Sequence, residues 1–141
     1  MKKLTDLPIE IQEKLKNYSE ELLKNYDIES IILIGAWAIE EAPEEEEINI
    51  LIISEDFAKM GTKERVKNVA KFWNPPPILN PFPHTKIEFI KLMKRYQGYV
   101  FDALESGVVI YDKGFFKRVR DAFDTELKQF KIDEESLWTL Y

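Results

Sequence analysis

The chain has 141 residues, 45% of them hydrophobic and 13% aromatic, with 33% charged residues and a formal charge of −6, which suits one packed core and excludes a disordered chain. With no cysteine and a single histidine, His84, disulfides, thiolate chemistry and any site built on two imidazoles are excluded. No apolar run approaches the about 20 residues that span a bilayer, and the opening MKKLTDLPIEIQEK lacks the apolar core of a signal peptide, so one soluble cytoplasmic domain over residues 1–141 is expected.

From Asp6 to Tyr26 the residues Ile11, Leu15, Tyr18, Leu22 and Tyr26 recur at spacings of three and four, the stripe of an amphipathic helix. Pro8 suits its first turn, and Thr5 or Asp6 its cap. Two short Ile/Leu runs follow, Ile31 to Ile34 and Ile48 to Ile53, too short for helices and apolar enough for buried strands. Gly35 ends the first run. Between the two, Glu40, Glu41, Glu44, Glu45, Glu46 and Glu47 place six acids within eight residues, which reads first as a solvated loop. Outside that cluster the charges balance, so there is no basic stripe for a broad nucleic-acid surface. Many Glu and Lys residues without Cys also fit a heat-adapted source.

Thr62 can cap a helix carrying Val66, Val69, Ala70 and Trp73 on one face, ending at Asn74. NPPPILNPFPH, from Asn74 to His84, holds five of the seven prolines and reads as a stiff extended crossover rather than a helix or central strand. Its interleaved Ile78, Leu79 and Phe82 favour packing on the body over service as a proline-rich ligand. KIEFI, Lys86 to Ile90, alternates polar and apolar residues as a strand would, with Glu88 on the polar side. Leu92 to Ser106 reads as one helix closed by Gly107, and Val108 to Tyr111 as a fourth short strand. Phe115 or Phe116, Val119, Phe123, Leu127 and Phe130 define a last amphipathic helix over residues 115–131, suited to the body or to a partner. Leu137, Trp138, Leu140 and Tyr141 make a short tail apolar enough to dock, on this chain or a second copy. The element order predicts an α/β (α+β) single domain, a mixed sheet of about four strands with helices on one side.

The segment GAWAIEEAPEEEEINI, Gly35 to Ile50, resembles the signature of the small, minimal nucleotidyltransferases of the DNA polymerase β superfamily. In that family a strand ends in Gly-Ser, a short helix and loop follow, a second strand opens with Asp-x-Asp, and a later strand supplies a third carboxylate. The resemblance covers roughly residues 10–131 and implies a nucleotidyltransferase-like sheet. It also implies a two-metal site, in which carboxylate-held Mg²⁺ bridges the phosphates of ATP or another NTP and the attacking hydroxyl. The Gly-Ser turn would bring backbone amides, a hydroxyl and a helix start to the triphosphate.

Carried over residue by residue, the motif is altered. Gly35 matches the glycine, while Ala36 stands where the family has serine, and Trp37 follows as a core residue, an interface anchor or a base-stacking ring. Glu47 takes the first aspartate position and Asn49 the second, and Glu88 is the candidate third carboxylate, so Glu47 and Glu88 are the metal ligands the resemblance implies. Ile39 and Glu40 stand where many members carry Arg-Gly. Preorganised groups of this kind are each worth a factor of about 100 to 1,000 in rate, and several change together here.

A degenerate nucleotidyltransferase-fold protein is therefore expected, acting as a nucleotide-binding or antitoxin-like regulatory partner, with a helical HEPN-type protein or a second copy as its companion and the aromatic last helix as the docking surface. An active Mg²⁺-dependent enzyme moving NMP from an NTP to a protein, nucleic acid or small molecule is the alternative, and a self-associating α/β module the third. Glu47 and Glu88 also read as ordinary surface charges, Asn49 as a residue satisfying a core hydrogen bond, and His84 as a loop residue.

Overall fold

The computed structural model describes residues 2–40 and 46–127. The acids Glu41, Glu44 and Glu45, the end of the expected helix to residue 131 and the tail to Tyr141 lie outside the described residues.

α1 (Ile9–Asn25) carries the expected stripe, burying Ile11, Leu15, Tyr18 and Leu22. Pro8 is its N-cap, and its carbonyl accepts from Ile11 and Gln12. The expected caps Thr5 and Asp6 belong instead to a separate 3₁₀ turn, Leu4–Asp6, where the Asp6 carboxylate accepts from the Lys3 amide.

β1 (Ile28–Ile34) runs into the four-residue α2 (Ala36–Ile39), and β2 (Ile48–Ser54) returns antiparallel to β1. α3 (Thr62–Ala70) is shorter than expected, with Gly61 rather than Thr62 at its N-cap. It carries the chain across to β3 (Leu79–His84), parallel to β2. Among the described residues, β4 (Val108–Asp112) completes a mixed sheet of order β3-β2-β1-β4, antiparallel to β1. The expected four-stranded α+β domain is thus present.

The helices lie on both faces of this sheet, not on one. Ile31, Leu33, Ile48, Ile50 and Ile52 pack with α1, Trp37, Val69 and Trp73, whereas Ile32, Ile34, Leu51 and Ile53 pack on the other side. Burial of both faces explains why β1 and β2 are continuous apolar runs rather than alternating ones.

The proline-rich crossover is an edge strand over its second half. Pro81 and Pro83 are two residues apart, so both missing amides fall on one side of the strand, and an edge has one side without a neighbour. The same prolines keep the edge from recruiting a further strand.

KIEFI is not a strand. It opens α4 (Lys86–Lys94), whose start is a capping box: the Thr85 hydroxyl accepts from the Glu88 amide, and the Glu88 carboxylate accepts from the Thr85 amide. Phe89, Ile90 and Met93 then form a buried helical face. The single helix expected to Ser106 is broken into α4 and α5 (Gly98–Ser106). At the break Tyr96 adopts φ 59°, its amide donates to Met93 and the Gln97 amide donates to Leu92. That is a Schellman termination with tyrosine in the usual glycine place.

At the end of α5, a Cβ on Gly107 would lie 2.4 Å from the Ala103 carbonyl and 2.7 Å from Ile32 of β1, so close packing demands the glycine. α6 (Phe115–Ala122) and the π-helical turn Phe123–Leu127 follow β4. Phe115, Phe116, Val119 and Phe123 are buried with α4 and α5 against the sheet. Of the two roles expected for the last helix, packing on the body is the one its described aromatic residues, Phe115, Phe116 and Phe123, take, so these are not available as a docking surface.

Candidate functional site

Three neighbouring strands bring Gly35, Asn49 and Asn80 together. Ile34, the residue before Gly35, is in register with Asn49, and Asn49 with Asn80. Gly35 turns the chain from β1 into α2 at φ 78°, ψ −156°, a region that side chains with a Cβ avoid. A Cβ there would also lie 2.6 Å from the Asn49 amide nitrogen. The Asn80 side chain donates to the Asn49 side-chain oxygen at 2.9 Å, and the Asn49 amide donates to the Glu47 carbonyl at 3.3 Å.

Residue parity sets which side of the sheet this row faces. Asn49 alternates with Ile48 and Ile50, so it shares a face with Leu51 and Ile53, the face covered by α4, α5 and α6. Glu47 is exposed just before β2. Ala36, half-buried in the first turn of α2, brings no hydroxyl. Trp37 is 4% exposed among the α1 residues on the opposite face, and its indole donates to the Glu46 carbonyl at 3.1 Å. Of the roles open to it, a core residue is the one its position fits. The Lys2 ammonium ties down α2 by donating to the carbonyls of Trp37 and Glu40, at 3.2 and 2.6 Å.

Glu88 does not join this group. It sits in the first turn of α4, where the Arg65 guanidinium grips both its oxygens, at 2.6 and 3.0 Å. The preceding His84 is paired in register with Ile53 and stands four positions along the strand from Asn80, about 13 Å at the usual rise. The expected convergence of Glu88 with Glu47 and Asn49 is therefore not found, because the segment carrying Glu88 is a helix starting at the far end of β3. Among the described residues no cluster of three or more His, Asp or Glu side chains is arranged to hold a metal ion.

A second group surrounds Glu88. Arg65 is 8% exposed and also donates to the carbonyls of Met60 and Pro83. Its hydrogen bond to Glu88, with the cap of Thr85, holds that carboxyl below its ordinary value against the opposing effect of burial. The His84 ring lies 2.8 Å by Nε2 from the Tyr99 hydroxyl, and Tyr99 stacks on Phe82 with ring centroids 4.5 Å apart. Burial, reinforced by Arg65, pushes the His84 pKa down despite Glu88, so the ring is neutral at pH 7. Its 3.9 Å approach to Glu88 is then not an ion pair. Burial, with Glu88 behind it, raises the Tyr99 hydroxyl.

Asn80, Arg65 and Tyr99 did not stand out in the sequence. No local signal marks Asn80, whose role depends on strand register. Arg65 and Glu88 had an indirect one: Thr85-x-x-Glu88 is a capping-box pattern that announces a helix start. Comparison with protein-family models, curated proteins and solved structures gives no significant match. Among the described residues no helix is long and apolar enough to cross a membrane.

Proposed function

We propose that the corner formed by Gly35, Glu47, Asn49 and Asn80 is a degenerate nucleotidyltransferase site, and that the chain acts as a nucleotide-binding or antitoxin-like regulatory partner. The observation that carries this reading is the Asn49–Asn80 amide pair set against Gly35. In the family that the motif resembles, the second strand and a later strand each bring a carboxylate to this place. Here the second strand brings Asn49, and the strand in register beside it brings Asn80. Both are neutral, and each amide oxygen offers a divalent cation far less charge than a carboxylate. Glu47 remains as the one acid of the motif beside them, and Ala36 removes the phosphate-facing hydroxyl.

Such a corner keeps a glycine turn and amide donors suited to phosphate oxygens while lacking the charge that would hold two Mg²⁺ ions. Binding without transfer is the activity it supports, with any Mg²⁺ arriving on the nucleotide. A helical protein partner would be met away from the aromatic side of α6, which is buried.

Calorimetry of the whole chain with ATP and Mg²⁺, followed by incubation with α-labelled ATP and candidate acceptors, tests the proposal. ATP binding with no labelled product supports it. Transfer that disappears in Glu47→Ala overturns it in favour of an active enzyme, and the absence of any nucleotide binding overturns it in favour of a self-associating module.

A further inference from the structure

Between α3, β3, α4 and α5 lies a cavity of about 510 Å³ whose lining is unlike the rest of this acidic chain. Its wall carries Phe82 and Tyr99, stacked at an interplanar angle of 27°, with Val66 and Leu92 adding apolar surface. Its cations are Arg65, Lys91 and Arg95, and its single carboxylate, Glu88, is spent on Arg65. Lys91 and Arg95 are exposed and have no acidic partner among the described residues. A surplus of two positive charges therefore stands at the edge of a partly aromatic hollow.

Arg65 adds a second, independent sign. Of its five N–H donors, one on Nε and two on Nη1 have acceptors, while Nη2 donates one to Glu88. The remaining Nη2 hydrogen has no acceptor among the described residues, although the side chain is about nine-tenths buried. Buried donors are ordinarily matched, and a charged one is costly to leave unmatched. This one belongs to a side chain that lines the cavity.

We propose that the cavity binds a small planar organic anion, a phosphate or carboxylate carried on a flat apolar body. The ring of the ligand stacks along Phe82 and Tyr99, and its anionic end meets Lys91, Arg95 and the open Arg65 donor. The neutral His84, fixed by the Tyr99 hydroxyl, holds that ring in place for stacking. The residues lining the cavity include none of Gly35, Glu47, Asn49 and Asn80, so it is a different site from the Gly35 corner, although Pro81 and Phe82 follow Asn80 along β3.

Phenyl phosphate is the probe, titrated by calorimetry into the whole chain, with inorganic phosphate and benzyl alcohol as the anion-only and ring-only controls. The proposal expects phenyl phosphate to bind at least about tenfold tighter than either control, because two interactions act together. The exposed double variant Lys91→Glu/Arg95→Glu, which leaves the core untouched, is expected to weaken binding by about tenfold or more, since attraction becomes repulsion at two points. The His84 and Tyr99 ring signals in proton NMR should shift on titration, and Glu47→Ala should bind the probe unchanged. No phenyl phosphate binding at millimolar concentration, equal binding by inorganic phosphate, an unaffected double variant, or unmoved His84 and Tyr99 signals would each overturn it.

Discussion

The Arg65 guanidinium closes on both carboxylate oxygens of Glu88, at 2.6 and 3.0 Å, and so ties α3 to the first turn of α4. One partner is buried and the other half-exposed, with side-chain exposures of 10% and 36%. Replacing the acid by its amide leaves a buried guanidinium without its counter-charge, while a glutamine oxygen can still accept from the Thr85 amide in the capping box. Glu88→Gln should therefore lower stability by about 2 kcal/mol at pH 7, measured by urea unfolding. The Glu88 pKa is depressed on folding, so its contribution is complete above the ordinary value of 4.5 and fades as pH falls through the folded value. The gap between wild type and Glu88→Gln should narrow as pH falls from 4.5 through the folded value, and a gap that persists unchanged under acid conditions would contradict this assignment.

His84 titrates with the same direction of loss but in a higher window. Its pKa is lowered on folding by burial and by Arg65, so the unfolded chain takes up a proton at pH 6.5 before the folded one does. Stability contributed by the neutral ring is full above pH 6.5 and declines as pH falls from there to the folded pKa. In His84→Gln that decline below pH 6.5 should be absent, as thermal melts at half-unit steps will show.

Gly35 tolerates no side chain on two counts, its positive φ and the Asn49 amide 2.6 Å from an added Cβ. Gly35→Ala should cost about 1–3 kcal/mol from backbone strain, and more if Asn49 must move. The side-chain amide signals of Asn49 and Asn80 should shift in the same variant, whereas Gly61→Ala, with open space around its Cβ, should leave them in place.

If neutral amides are what weakened the metal site, restoring acids should recover it. Asn49→Asp/Asn80→Asp would set two carboxylates beside each other near Glu47, and hard divalent cations follow carboxylate charge. Without metal the like charges should destabilise the fold, and Mg²⁺ or Mn²⁺ should raise the melting temperature of the double variant by several degrees while leaving wild type nearly unmoved. Equal metal response in the two proteins would sink this reading.

Much of the scaffold was legible because its signals are local. The β1 and β2 runs, the α1 stripe and the start of α6 are carried by residues a few positions apart. KIEFI misled because five alternating residues fit a strand, while the helical spacing of Phe89, Ile90 and Met93 and the Thr85–Glu88 cap emerge only over a longer window. The Gly35 and Asn49 half of the candidate site was readable from the motif, but its third strand was not.

By itself, the sequence determined that a cysteine-free chain with two doubly apolar runs and an amphipathic leading helix forms one α+β core, and that a glycine ends the first strand. Tertiary structure decided what faces what. The parallel register of β2 and β3 put Asn80, not Glu88, beside Asn49, and the packing of α3 on β3, whose far end leads into α4, gave Glu88 to Arg65. The physical reason is that strand register and helix docking join residues far apart in the chain, through burial on two faces at once, and no short window of sequence carries that information.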